Sequence, residues 1–142
     1  MRSNRQKTRV VFDTNVLVSA LVFGGTPRAA TDLIAGKIVR PVMSEEIMTE
    51  LRRIISAKLP KHVPGVARYE KLLRRYAIWV PLGSQVATAP RDPADNAVIE
   101  TALIGRCQFI VSGDKDLLVL GAYDDVRIVN PAEMLKLIAD RS

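Results

Sequence analysis

"RVVFDTNVLVSAL", residues 9–21, sets an acid, Asp13, directly after a run of β-branched and aromatic residues and just ahead of a second apolar run. "TRVVF" (8–12) has the character of a buried strand, with Val and Phe and no sustained polar alternation. A lone carboxylate buried in such surroundings is strongly penalised, or raises its pKa until it neutralises. Directly behind a strand, the carboxylate can instead emerge at the edge of a sheet. In open α/β sheets that edge, at the carboxyl ends of the strands, is where ligands gather.

Strands and helices alternate outward from this stretch. "TPRAATDLIAGK" (26–37) reads as a helix capped by Thr26, with Pro27 at its first position and Gly36 as its stop. "IVRPVM" (38–43) is a strand, and "SEEIMTELRRIIS" (44–56) a helix with a Ser44 cap, an acidic first turn and an apolar stripe at Ile47, Leu51, Ile54 and Ile55. Pro60 to Pro64 reads as a breaker, "VARYEKLLRRYA" (66–77) as a helix, "IWVPL" (78–82) as a strand and "GSQVATAP" (83–90) as a loop. "DPADNAVIETALIG" (92–105) is a helix with Asp92 as cap, Pro93 at its first position and Gly105 at its end. Then follow the strand "QFIVS" (108–112), a short helix in "DKDLLVLG" (114–121), a fifth strand "VRIVN" (126–130) and a closing helix "PAEMLKLIAD" (131–140). The expected fold class is α/β, a three-layer α/β/α sandwich with a mainly parallel five-stranded sheet, formed by one domain over residues 8–142 after a flexible basic leader, residues 1–7.

Composition removes several classes. The single Cys107 excludes an internal disulfide and a Cys-cluster zinc site, and the single His62 removes most histidine-based metal sites. Cys107 is expected in the core, His62 at the surface and Trp79 in the core. The apolar runs are far shorter than the roughly 20 residues of a membrane helix, so a cytoplasmic protein with no membrane association is expected. The net charge of +6 is unevenly placed: Arg52, Arg53, Lys58, Lys61, Arg68, Lys71, Arg74 and Arg75 stand against one acid, Glu70, in that interval. Such a block suits nucleic acid, with Arg52, Arg53, Lys71, Arg74 and Arg75 as the candidate binding residues, or else forms a solvated helical face.

Asp114 follows "QFIVS" after Ser112 and Gly113, so it reaches the same sheet edge as Asp13 if their strands are neighbours. Asp95 falls in the first turn of its helix, where the helix dipole favours an ionised carboxylate. Glu50 flanks the apolar stripe of the helix that begins at Ser44. Carboxylates within about 4–6 Å repel one another unless one protonates or a cation sits between them. A set of oxygen ligands without His or Cys selects Mg²⁺ or Mn²⁺. Asn15, Ser112 and Asn96 stand beside these acids as candidate supporting residues; Asp116 lies two past Asp114, while Asp124 and Asp125 read as turn acids.

The segments "VVFDTNVLVSAL", the Glu50 helix, "RDPADNAVIETAL" and "FIVSGDKDLL" resemble, in order and spacing, the four motif segments of the PIN-domain ribonucleases, and most closely the short bacterial and archaeal branch of toxin components of toxin–antitoxin systems. The resemblance implies a parallel sheet ordered 3-2-1-4-5 and Mg²⁺- or Mn²⁺-dependent endoribonuclease action on single-stranded RNA. It implies a catalytic set of Asp13, Glu50, Asp95 and Asp114, with metal held by Asp13, Asp95 and Asp114 and Asp116 as an auxiliary acid. It further implies a homodimer and a cognate antitoxin partner. The alternatives are a non-catalytic RNA- or antitoxin-binding module of the same fold, or a housekeeping RNA-processing nuclease. A haloacid-dehalogenase-type phosphatase is disfavoured by Asn15 where it needs a second Asp, a dinucleotide-binding domain by the lack of a glycine-rich first turn, and a receiver domain by "VNP" in place of a Lys after the fifth strand.

Overall fold

The computed structural model describes residues 7–83 and 93–141, without the side chains of residues 93–95. Most of the leader and Asp92 lie outside that range. At the centre is β1 (Thr8–Phe12), flanked in parallel by β2 (Val39–Met43) and β4 (Phe109–Val111). β3 (Ile78–Trp79) extends the sheet beyond β2, β6 (Val126–Val129) pairs in parallel with β4, and β5 (Ala122–Tyr123) runs antiparallel on the outside of β6. The order is β3-β2-β1-β4-β6-β5. The expected parallel order is therefore present, with one strand more than the five expected. The extra strand is a two-residue arm folded back through a turn in which Asp124 takes φ 52°, too short to leave an alternating pattern in the sequence.

Among the described residues, the α-helices that complete the fold are α1 (Thr14–Val22), α2 (Gly25–Ala35), α3 (Glu45–Lys58), α4 (Val63–Tyr76), α5 (Pro93–Ile104), α6 (Lys115–Leu120) and α7 (Pro131–Asp140). Right-handed crossovers leading from β1 to β2 and from β3 back to β4 travel in opposite directions, so their helices must cover opposite faces. Accordingly α1 and α2 pack together, with α7 against α2, while α5 lies on β1, β2 and β4. Covered on both sides, β1 and β4 bury Val10, Val11, Phe12, Phe109, Ile110 and Val111, which explains their unbroken apolar runs.

Local boundaries depart from expectation where packing overrides the sequence cues. α2 starts at Gly25 and not after Thr26, because the corner from α1 needs Gly24 at φ 72°. Pro60–His62 forms a short 3-10 turn, and Pro64 opens α4 within its first turn, where its missing N–H is not needed. His62 is half-buried, as is Trp79, whose Nε1 donates to the Leu73 carbonyl at 3.0 Å. In α3, Met48 is buried and Ile54 only partly so. The Ser44 cap holds, its hydroxyl accepting from the Ile47 amide, and Asn130 forms a full capping box with Glu133 ahead of α7.

Gly105 is required by proximity. A Cβ there would lie 2.4 Å from Val42 Cγ1 and 3.1 Å from the Thr101 carbonyl, so the end of α5 sits directly on β2. Arg106 takes the left-handed turn that follows, at φ 54°, and the Cys107 amide reaches back to the Ala102 carbonyl at 2.9 Å. Gly105→Ala is expected to destabilise the protein by about 1–3 kcal/mol through overpacking, measured by denaturant unfolding.

α3 and α4 form an antiparallel hairpin joined by charge. Arg52 pairs with Glu70 (Nε–Oε1 3.1 Å), while Arg74 grips both Glu45 (2.8 Å) and Glu70 (3.0 Å) and stacks 3.8 Å over the Trp79 ring. Hydrogen bonds from Arg74 hold Glu45, and those from Arg52 hold Glu70, below their ordinary value of 4.5. Lowered folded-state values mean that the pairs stabilise fully above pH 4.5 and lose that contribution as pH falls through those values. The melting-temperature gap between wild type and Glu70→Gln should therefore be widest at about pH 7 and close toward about pH 3. Added salt should narrow it at neutral pH.

Candidate active site at the carboxyl edge of the sheet

β1 ends at Phe12, paired with Val111, so the next residue of each strand emerges at the same edge. Asp13 continues the ladder, its amide donating to the Val111 carbonyl at 2.8 Å, and serves as the N-cap position of α1. Its side chain is buried, 6% exposed, and its pKa is raised above the ordinary 3.8 chiefly by that burial. The Ser112 hydroxyl and the nearby Thr14 and Asn15 amides work in the opposite direction, favouring the charged form; the Asp114 charge adds to the rise.

Ser112 makes the central connection. Its hydroxyl donates to Asp13 Oδ2 at 2.7 Å and accepts from the Asp114 amide at 2.9 Å, so one fully buried side chain positions both acids. Asn15 adds a second tie across the strands, its Oδ1 accepting from the Gly113 amide at 3.1 Å. Asp114 caps α6, Oδ1 accepting from the Asp116 amide at 2.8 Å. Asp13, Asn15, Ser112, Asp114 and the Asp116 backbone are thus brought together. The Asp116 side chain is exposed.

Glu50 faces Arg53 one turn on, accepting from its Nε at 3.0 Å and from Nη2 at 2.8 Å, with the carboxylate largely shielded. Asp95 lies in the first turn of α5, and its side chain is outside the described residues. Asn96, the next residue, has a buried Oδ1 with no hydrogen-bond partner among the described residues. Glu100, one turn further along α5, was not singled out in the sequence. It is 5% exposed and accepts from the Gly83 amide at 2.7 Å. In the sequence its one mark is an acid set inside the apolar run "AVIETALI" (97–104), without a spacing that ties it to the other acids. α5 is further tied to the start of α3 by Thr101, whose hydroxyl lies 2.9 Å from that of Ser44.

Among the described residues, no three His, Cys, Asp or Glu side chains gather as a ready cation cage. The donors that do converge, Asp13 and Asp114, are carboxylates alone, which suits a hard divalent cation. The Asn96 amide oxygen, without a hydrogen-bond partner among the described residues, is a neutral hard oxygen donor next to Asp95 in the chain.

Residues 9–116 match the family model for the PIN domain, and the chain belongs to that family. It is 33% identical over 118 residues to the uncharacterized protein MJ1680 of Methanocaldococcus jannaschii, a match covering 80% of this chain and 76% of that protein. Its fold is similar to that of a chain in the crystal structure of VapBC2 from Rickettsia felis bound to a DNA fragment from the promoter, with a TM-score of 0.60 and 12% identity, over 87% of this chain and 98% of the other.

Because ionised Asp13 is the form that burial disfavours, its raised folded-state value subtracts stability as pH rises through it. Asp13→Asn, with nearly the same shape, is expected to raise metal-free stability by about 0.5–2 kcal/mol. Wild type should gain stability when Mg²⁺ or Mn²⁺ is added and the variant much less, since a ligand of the folded state shifts unfolding by mass action. Thermal melts in chelator and in saturating metal check both. A destabilised variant with an intact metal response would make Asp13 a structural acid.

Proposed function

We propose that this PIN-domain protein is a Mg²⁺- or Mn²⁺-dependent endoribonuclease that hydrolyses single-stranded RNA, acting as the toxin of a toxin–antitoxin pair. The observation that carries this reading is the pair Asp13 and Asp114 oriented by one serine hydroxyl at the edge where two central strands end. Held by Asp13 and Asp114, with Asp95 and the auxiliary Asp116 to complete the shell, a divalent ion would relieve the carboxylates' repulsion, polarise a phosphoryl oxygen and acidify water.

The chain's own residues do the rest. Ser112 keeps Asp13 in one orientation and ties Asp114 to it, so neither acid must be ordered when substrate arrives. Glu50 takes a proton from the attacking water once Arg53 leaves it for a substrate phosphate; that exchange couples RNA arrival to release of the base. The water oxygen bonds to phosphorus as the bond from phosphorus to the 3′ oxygen breaks and that oxygen takes a proton from solvent, so the products carry a 5′-phosphate and a 3′-hydroxyl. Lys71 and Arg75, exposed and outside ion pairs among the described residues, steady the RNA backbone. Arg52 and Arg74 contribute at the cost of their contacts to Glu70 and Glu45.

The same reading places the protein in the cytoplasm as a homodimer with a cognate antitoxin. Cys107 is a buried free thiol whose pKa burial pushes up to about 12, and among the described residues no helix is long and apolar enough to cross a membrane. Mixed RNA incubated with Mn²⁺ or Mg²⁺ should be cut to fragments bearing 5′-phosphates, and chelator or Asp13→Asn should stop the reaction. Cyclic 2′,3′-phosphate ends, or cleavage that persists in chelator, would overturn the mechanism.

A further inference from the structure

The basic residues between Arg52 and Arg75 separate into two groups in the folded chain. Arg52, Arg53 and Arg74 are matched by Glu70, Glu50 and Glu45. Lys58, Lys61, Arg68, Lys71 and Arg75 are exposed and hold no ion pair among the described residues, and Arg68, Lys71 and Arg75 of these lie on α4. Their spacing, i, i+3 and i+7, puts them on one face of α4, while Glu70 and Arg74 occupy the face turned to α3. At 1.5 Å of rise per residue the cationic stripe is about 10 Å long.

Beyond Arg68 the stripe runs into a cleft of about 420 Å³ where the Pro60–His62 turn and the first half of α4 face α1 and α2. Lys61 and Arg68 enter it from one side and Arg28 of α2 from the other, with His62 beside them and Leu21 on the wall. The one acid lining it, Asp32, pairs with Arg28 at 3.3 Å through side chains more than half exposed, where water and salt weaken the pair. Tyr69 donates to Thr31 Oγ1 at 2.7 Å, pinning α4 to α2 and so fixing the width of the opening. The cleft's volume is within the usual range for a small-ligand pocket, roughly 300–1,000 Å³.

We propose that the outward face of α4 is a track for the phosphate backbone of single-stranded RNA, and that the Lys61–Arg68–Arg28 cleft is a phosphate subsite at its end, separate from the acid pair that does the chemistry. A single small anion would need only the cleft. A line of uncommitted cations leading into it fits a linear polyanion. The inference rests on the ribonuclease reading and adds where the substrate is anchored.

The test uses the full chain in chelator, so that binding is read without cleavage. Fluorescence anisotropy would follow labelled RNA 20-mers of several sequences, and a 4-mer, across a salt series with wild type and with Lys61→Ala/Arg68→Ala. Both side chains are exposed, and melting curves confirm that the variant is folded. The variant should bind every 20-mer about tenfold more weakly at physiological salt, with a log affinity against log salt slope shallower by about 1.4, or about 0.7 for each lost phosphate contact on a single strand. The loss should be the same across sequences, because phosphate contacts carry no sequence information. A Lys61→Arg/Arg68→Lys variant should retain the slope. Equal slopes for wild type and the alanine variant, loss confined to one sequence, or equal loss in the charge-keeping variant would overturn the subsite while leaving the ribonuclease reading in place. Failure of the wild type both to bind these RNAs and to cut RNA with metal present would overturn the two together.

Discussion

The hydroxyl of Ser112 is the point on which the candidate site depends. Buried between the Asp13 carboxylate and the Asp114 backbone amide, it has one proton and gives it to Asp13, which leaves its lone pairs for that amide. That polarity cannot be reversed while Asp13 is ionised. The sheet register that sets Phe12 opposite Val111 is what brings these groups to one edge. Burial makes the acid costly, and the hydroxyl and amides around it offset part of that cost.

Electrostatics divides the molecule in a way that net charge conceals. The basic block that looks uniform in the sequence is partly internal glue: Arg74 alone holds acids from two helices and covers the face of Trp79. Such a residue does at once what an ion pair and an aromatic contact would do separately, and it fixes the angle between α3 and α4. What is left over is a smaller, ordered set of cations on the outer face of α4.

The parts of the fold written in the sequence are those in which local chemistry and packing agree. β1 and β4 carry apolar runs because they are covered on both faces, and Ser44 caps its helix because it is a polar residue ahead of apolar periodicity; the cap at Asn130, read as the end of a strand, is not legible in that way. The placement of Asp13 and Asp114 is legible for the same reason, as Asp13 directly follows β1 and Asp114 stands just beyond the end of β4. What escaped was long-range. Nothing local tells that Arg52 will meet Glu70, eighteen positions away, whereas the Glu50–Arg53 pair is local, one turn apart on α3. Glu100 was passed over because a single acid in an apolar helix has no distinctive spacing. The early start of α2 was missed because the glycine that permits it serves a corner between helices, which only tertiary packing defines.

The two rims of the sheet carry a consequence for assembly. β3 and β5, the outermost strands, are each two residues long, and β5 turns back antiparallel through Asp124 and Asp125. Strands this short offer too few open backbone groups to template pairing with another chain, and charged turns blunt them further. Self-association by continuing the sheet from one molecule into the next is therefore closed off at both rims. Among the described residues, contacts between copies then fall to side chains, where shape and charge complementarity select the partner.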